Sequence, residues 1–245
     1  MQVLVTGGTG DLGHRVVDRL GAAGHQPTVA SRRPDQPGFV AYDLDEPPPL
    51  EGYDVVVHLA SDQLKPERDT QALDRLLTSA EAAELPHLVF ISIVGIDGHP
   101  LPYYRAKVEQ ERAIESGGVP WTILRATQFH SFIPKVALML RQGPLTVVPR
   151  GYRMQTIDAD AVADRLVHLV GTGPSGRARD IGGPEVIDVA DALEEWARES
   201  GGKLRVTRMP LPGSLGRAFK EGKNLLGPDG EVIGSSYRAF VDDGR

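Results

Sequence analysis

The run VLVTGGTGDLG at residues 3–13 restricts the fold more than any other part of this chain. Val3, Leu4, Val5 and Thr6 make an apolar, β-branched stretch that reads as a strand. Glycines at 7, 8 and 10 then break the pattern, and from Asp11 the residues Leu12, Val16, Val17 and Leu20 recur at helical spacing. A strand that turns through glycine into a helix start aims several backbone N–H groups and the positive end of a helix dipole at one spot. Such a spot suits a diphosphate. Gly7 permits the tight turn, Gly10 lets a pyrophosphate approach the backbone, and Gly13 lets the helix pack closely on the strand. Thr9, Asp11 and Leu12 complete the turn and the first helical residues, and are expected at the same site.

Strand-like and helix-like segments alternate for most of the chain, which predicts a Rossmann-type, doubly wound parallel α/β sheet with right-handed crossovers. Strands are expected near residues 26–31, 39–42, 53–59, 88–93, 121–125, 145–148 and 205–209. Helices are expected near 11–23, 67–83, 102–116, 132–140, 160–170 and 188–198, the last capped by Asp188. A polar turn, Arg32-Arg33-Pro34-Asp35, follows the second strand, and prolines 47–49 follow the third. The chain reads as one nucleotide-binding domain over 1–245. Its cofactor part is about 1–150, and a small C-terminal substrate-side lobe is built mainly from about 151–245. The glycine-rich tail from Pro210 is expected to wrap the body as a lid or substrate-side lobe.

Composition narrows the function classes. With 40% hydrophobic residues and no apolar run near the roughly 20 residues that cross a bilayer, no membrane partner is expected. The start carries no basic segment followed by an apolar one, so no secretory signal is expected. The chain has no cysteine, which excludes disulfides and thiolate chemistry and fits a cytoplasmic setting. A net charge of −6, with no basic stripe, argues against nucleic acid. The seven histidines are scattered without ligand spacing, so no catalytic metal is expected.

The end of the second strand decides between dinucleotides. An acidic residue there accepts from the ribose of NAD, whereas arginine pairs with the extra phosphate of NADP. Ser31, Arg32 and Arg33 occupy that point, which favours NADP (NADPH). Asp43 and Leu44, past the third strand, fall where an adenine ring would lie. Ala60 and Ser61, past the fourth, are expected along the cofactor path.

Tyr103 and Lys107 share one face of a helix, one turn apart. An ammonium beside a phenol favours the phenolate and is expected to draw the tyrosine from near 10 toward neutrality. Such a tyrosine can donate a proton to a carbonyl oxygen as hydride arrives from a nicotinamide. Lys107 can also hold the nicotinamide ribose, and Ser92, ending the fifth strand, is placed to hydrogen-bond the same oxygen.

The segments TGGTGDLG at 6–13, SRR at 31–33, HLAS at 58–61, the Ser92 to Gly95 turn, YYRAK at 103–107, WTILRATQFH at 121–130 and GGPE at 182–185 together resemble the short-chain dehydrogenase/reductase superfamily. More narrowly, they resemble its atypical, NmrA-like branch of NAD(P)-binding proteins. The resemblance covers roughly the first 200 residues. It implies that Tyr103, Lys107 and Ser92 carry reduction, and that Gln128, Phe129 and His130 line the nicotinamide and substrate walls. It also implies a monomer or homodimer acting on a small-molecule substrate. The resulting expectation is an NADP-dependent oxidoreductase for a small carbonyl, quinone or conjugated molecule. Two alternatives stay open: an NADP(H)-binding redox sensor without turnover, and a cofactor-assisted isomerase or epimerase.

Overall fold

A computed structural model describes residues 1–34 and 36–244; Asp35, of the polar turn, and Arg245 lie outside the described residues. The chain divides into two compact units. The first comprises Met1–Ser92, Pro102–Arg125 and Val162–Arg179. Its main strands are β1 (Gln2–Thr6), β2 (Gln26–Ser31), β3 (Phe39–Ala41), β4 (Val55–His58), β5 (Leu88–Ile93) and β6 (Trp121–Ala126), in the spatial order β3-β2-β1-β4-β5-β6, with the short strand Gly176–Arg177 pairing parallel to β6. The pairs β1–β2, β1–β4, β2–β3 and β4–β5 are all parallel. This mostly parallel sheet with helical crossovers is the Rossmann-type α/β arrangement expected from the sequence.

Apolar runs explain which strands lie at the centre. Leu4 and Val5 of β1 and Val56 and Val57 of β4 are fully buried, as a strand covered on both faces requires. From β1 the chain steps outward through β2 and β3, then returns to the other side of β1 as β4. The loops leaving the carboxyl ends of β1 and β4 therefore diverge, the switch point at which open α/β sheets bind ligands.

Three helices frame this edge. Helix α1 (Asp11–Ala22) buries Leu12, Val16 and Leu20. Helix α2 (Pro66–Ala82) starts with proline at its first turn and buries Leu73, Leu76, Leu77 and Ala80. Helix α3 (Pro102–Ser116) buries Tyr104 and Ile114, but also Lys107, Gln110 and Glu111. On α2 the apolar stripe likewise includes a charge, Asp69. Leu4, Val56, Leu73, Leu76, Phe90 and Ile114 form one core cluster.

The second unit comprises Ile93–Leu101, Ala126–Ala161 and Asp180–Arg245. Here the strand Arg153–Ile157 pairs parallel to Gln128–Phe129 and antiparallel to Val186–Asp188. The strand Leu145–Pro149 pairs parallel to Val206–Met209. Ile133, Val148, Met154, Leu193 and Tyr237 share a second core. Asp188 caps the helix Val189–Glu199 as expected, accepting from Ala190 N at 3.0 Å. The tail after Pro210 holds the helices Gly213–Lys220 and Tyr237–Asp242, and the strand Glu231–Val232, which pairs with Ile181–Gly182. Among the described residues no helix is long and apolar enough to cross a membrane.

Leu76 is fully buried where α2 meets the sheet. Leu76→Ala is expected to destabilise the first unit by about 2–5 kcal/mol, measured as a lowered urea midpoint with an unchanged slope.

Candidate functional site

The site begins at the turn after β1. Gly7 has a φ of +70°, a conformation that side chains other than glycine rarely adopt. A Cβ at Gly13 would lie 2.1 Å from Gly7 O, so the first turn of α1 packs against the glycine turn itself. A Cβ at Gly7 would in turn lie 2.7 Å from Ala60 N, so the loop after β4 abuts the same turn. Gly10 caps α1 without a side chain, and the first N–H groups of any helix have no partner within the helix. Asp11, the acid in that first turn, is turned aside by an ion pair with Arg15 at 3.5 Å.

One hydroxyl joins the two central strands here. Thr6 Oγ1 accepts from Leu59 N and Ala60 N, each at 3.3 Å, and lies 2.8 Å from His58 Nδ1. Burial, with a smaller push from Lys107, lowers the His58 pKa to about 4 against the pull of Asp69. His58 therefore stays neutral.

A cavity of about 1120 Å³ opens in front of these loops. Of the residues expected to hold cofactor, Gly7, Thr9, Gly10, Ser31, Arg32, Arg33, Asp43, Leu44, Ala60 and Ser61 line it. Asp11, Leu12 and Gly13 form the first turn of α1 instead, with Leu12 and Gly13 buried. Tyr42 lines the cavity too, and its buried hydroxyl has no hydrogen-bond partner among the described residues. Burial, then the charges of Asp69 and Asp43, pushes that phenol up to about 12. Arg68 pairs with Asp43 and Asp45, each at 2.8 Å. Arg32 and Arg33 have no ion pair among the described residues, which leaves two cations at the end of β2.

Tyr103 and Lys107 lie outside the cavity lining and join it through Ser61. Tyr103 Oη is 2.9 Å from Ser61 Oγ. Lys107 is buried, its Nζ 3.6 Å from Asp69 Oδ2 and 4.7 Å from the centre of the Phe90 ring. The ring of Tyr103 is farther, at 5.9 Å. Burial lowers the Lys107 pKa against the pull of Asp69. The expectation that Lys107 draws Tyr103 toward neutrality is overturned. Burial pushes the Tyr103 phenol up to about 12, Asp69 adds to that rise, and the lysine charge is answered by Asp69.

Ser92 is buried, and its Oγ makes no hydrogen bond among the described residues, to Tyr103 or otherwise. It lies by Glu111, whose carboxylate binds Arg125 at 2.5 Å and Arg177 at 2.9 Å. Burial alone would raise Glu111; Arg125 and Arg177 hold it below the usual carboxylate range. In the second unit, His130 Nδ1 is 2.8 Å from Thr156 Oγ1 and Nε2 is 3.1 Å from Ser235 O, so both ring nitrogens are engaged.

Sequence reasoning missed Asp69, Tyr42, Arg68 and the Thr6–His58 pair. For Asp69 a signal existed: it precedes Leu73 by one helical turn and so falls on the apolar stripe of α2. The others are recognisable only once the strands are paired.

A family model described as NAD(P)H-binding matches residues 7–172. A (4-alkanoyl-5-oxo-2,5-dihydrofuran-3-yl)methyl phosphate reductase of Streptomyces griseus subsp. griseus is 29% identical over 218 residues, covering 83% of this chain and 75% of the relative. The structure of an NADPH-dependent quinone oxidoreductase from Escherichia coli superposes with a TM-score of 0.71 at 15% identity, covering 98% of both chains. That of a nucleoside-diphosphate-sugar epimerase from Staphylococcus aureus does so with a TM-score of 0.70 at 16% identity, covering 98% of this chain and 99% of the other. At these identities the two structural likenesses are likenesses of fold.

The depressed His58 pKa has a consequence for stability. Between its ordinary value of 6.5 and about 4, the unfolded chain takes up a proton that the folded one refuses. Stability present above pH 6.5 is therefore lost as pH falls through that window. His58→Asn, which keeps an acceptor for Thr6, is expected to flatten the fall by up to about 1.4 kcal/mol per pH unit in urea titrations. A residual slope from His87, also lowered to about 4 by burial, is expected to remain.

Proposed function

The chain belongs to the NAD(P)H-binding family whose model spans residues 7–172, and on that premise we propose that it is an NADP-dependent oxidoreductase reducing a small carbonyl, quinone or conjugated substrate. The observation that carries the reading is the cavity wall. A glycine turn that opens a helix meets, at the end of β2, two arginines that have no ion pair among the described residues. The reductase relative from Streptomyces griseus supports the reaction class.

The residues present fit the cofactor. Close packing at Gly7 and Gly13 leaves no room for side chains where a pyrophosphate would rest, and the orphaned Tyr42 hydroxyl offers a polar atom to a ligand in the cavity. In this reading the turn through Gly7, Thr9 and Gly10 and the N–H groups of Asp11, Leu12 and Gly13 bind the pyrophosphate. Ser31, Arg32 and Arg33 bind the ribose phosphate that distinguishes NADP from NAD. Asp43 and Leu44 flank the adenine, while Ala60 and Ser61 line the path toward the nicotinamide. Lys107 holds the nicotinamide ribose. Bound NADPH supplies a hydride. Tyr103, whose phenol burial keeps protonated at neutral pH, supplies the proton to the reduced oxygen. Residues 151–245 are the candidate source of substrate recognition. The lack of cysteine favours a cytoplasmic setting, and a monomer or homodimer is the assembly we assign.

A second reading is favoured by one observation. Lys107 is buried and tied to Asp69, a geometry that also suits a redox sensor which binds cofactor without turnover.

Two measurements test the reading. By calorimetry, Arg32→Ala is expected to weaken NADPH binding about tenfold or more while leaving NADH nearly unchanged; equal losses would remove the case for NADP. NADPH oxidation against a panel of quinones and aldehydes is expected to reveal an acceptor, with kcat falling by about 10²–10⁴ in Tyr103→Phe. Tight NADPH binding with no consumption by any acceptor would transfer the assignment to the sensor.

A further inference from the structure

Asp69 is 1% exposed on the apolar stripe of α2, a position where leucine would cost nothing in desolvation. Four donors converge on its carboxylate: Ser61 Oγ at 3.1 Å, Asp62 N at 3.2 Å, Gln110 Nε2 at 3.1 Å and Lys107 Nζ at 3.6 Å. Gln110 commits its amide nitrogen to Asp69 and leaves its own buried Oε1 without a partner among the described residues. The local network is thus arranged around the acid.

Hydrogen counting then fixes a direction. Tyr103 Oη and Ser61 Oγ are 2.9 Å apart, and the distance alone leaves either as donor. A hydroxyl has one hydrogen to give and a carboxylate has none. The Ser61 hydrogen goes to Asp69, so Ser61 can only accept from Tyr103. We propose that Asp69 is a positioning residue: acting through Ser61, it aims the phenolic hydrogen of Tyr103, and by its ion pair it seats the Lys107 ammonium over Phe90. This rests on the reading of Tyr103 as the proton donor and goes beyond it by naming the group that sets the donor's resting state. Ser61 cannot turn its hydrogen toward the phenol oxygen while Asp69 holds it, so the phenolate lacks its nearest hydrogen-bond donor. The proton stays on Tyr103 until another oxygen competes with Ser61 for it.

The groups facing Tyr103 are Ser61 and Gln63 from the loop after β4, Asp69 from α2, and Tyr104 and Lys107 from α3. The test follows Tyr103 ionisation by carbon NMR of ring-labelled tyrosine, assigned by the signal lost in Tyr103→Phe. Circular dichroism checks that the fold persists at each pH. The wild-type phenol is expected to stay protonated to about pH 11, above the ordinary tyrosine value. Asp69→Asn is expected to lower its midpoint by at least one pH unit, a tenfold rise in the ionisation constant, because the negative charge is gone and Ser61 is released to donate to the phenolate. In a Ser61→Ala background the same change is expected to have less than half that effect. An unmoved midpoint, or an equal shift with serine and with alanine at 61, would overturn the proposal. Should Asp69→Asn fail to fold, Ser61→Ala alone decides by sign. A lowered or unchanged midpoint supports acceptance by Ser61, and a raised one overturns it. NADPH calorimetry on the same samples tests the functional reading separately, since the titration is made without cofactor.

Discussion

The Thr6 hydroxyl is the constraint on which the cofactor edge of the first unit depends. It ends β1, takes N–H groups from Leu59 and Ala60 beyond β4, and shares a hydrogen bond with His58 Nδ1. Without it, Ala60 N and a buried ring nitrogen would need other partners, while Leu59 N also bonds the Thr6 carbonyl at 3.1 Å. The near contact between Gly7 and Ala60 has the same effect sterically. Hydrogen bonding and close packing therefore hold together, at the base of the cavity, two loops that the sheet topology drives apart. A diphosphate site needs fixed N–H groups because their value lies in being oriented before the anion arrives.

From that base the loop after β4 is held a second time. Thr6 fixes Leu59 and Ala60, and Asp69 fixes Ser61 and Asp62. One anchor belongs to the central sheet and the other to α2, so the segment between cavity and catalytic helix is tied at both ends. Asp69 also grips Lys107 and Gln110 of α3. Burying an ion pair gives little net stability, since desolvation offsets the attraction. Its contribution here is geometric: three elements are placed relative to one another by a single carboxylate.

The legible part of the sequence was the part dominated by local pattern. Continuous apolar runs marked β1, β4 and β5, helical stripes marked α1, α2 and α3, and the Asp188 cap was visible from its type and place. Ten residues named for the cofactor do line one cavity, because each stands at a strand end whose position follows from the topology. The strand Arg153–Ile157 was missed, since RMQTI shows neither a clean alternation nor an apolar run and is defined by partners at Gln128–Phe129 and Val186–Asp188. The tail after Pro210 hid two short helices for a similar reason: Ala218, Phe219, Tyr237 and Val241 are buried, yet too few apolar residues surround them in sequence to reveal a period.

The reading of Tyr103 went astray for a more instructive reason. A Tyr-x-x-x-Lys spacing fixes which face the two side chains share, but not which charge each one experiences. The lysine was treated as the only ion near the phenol. In the folded chain an acid from the preceding helix stands closer to the ammonium than the tyrosine ring does, 3.6 Å against 5.9 Å. Electrostatic effects in a buried site are set by the sum of the neighbours, and here the charge felt at the phenol is that of Asp69, which opposes ionisation. Desolvation then prevails, and it favours the protonated phenol. A motif read along one helix thus predicts proximity reliably and proton affinity poorly. The missing term lay on the stripe of α2, where a charge among leucines was itself the sign that another ion had to be near.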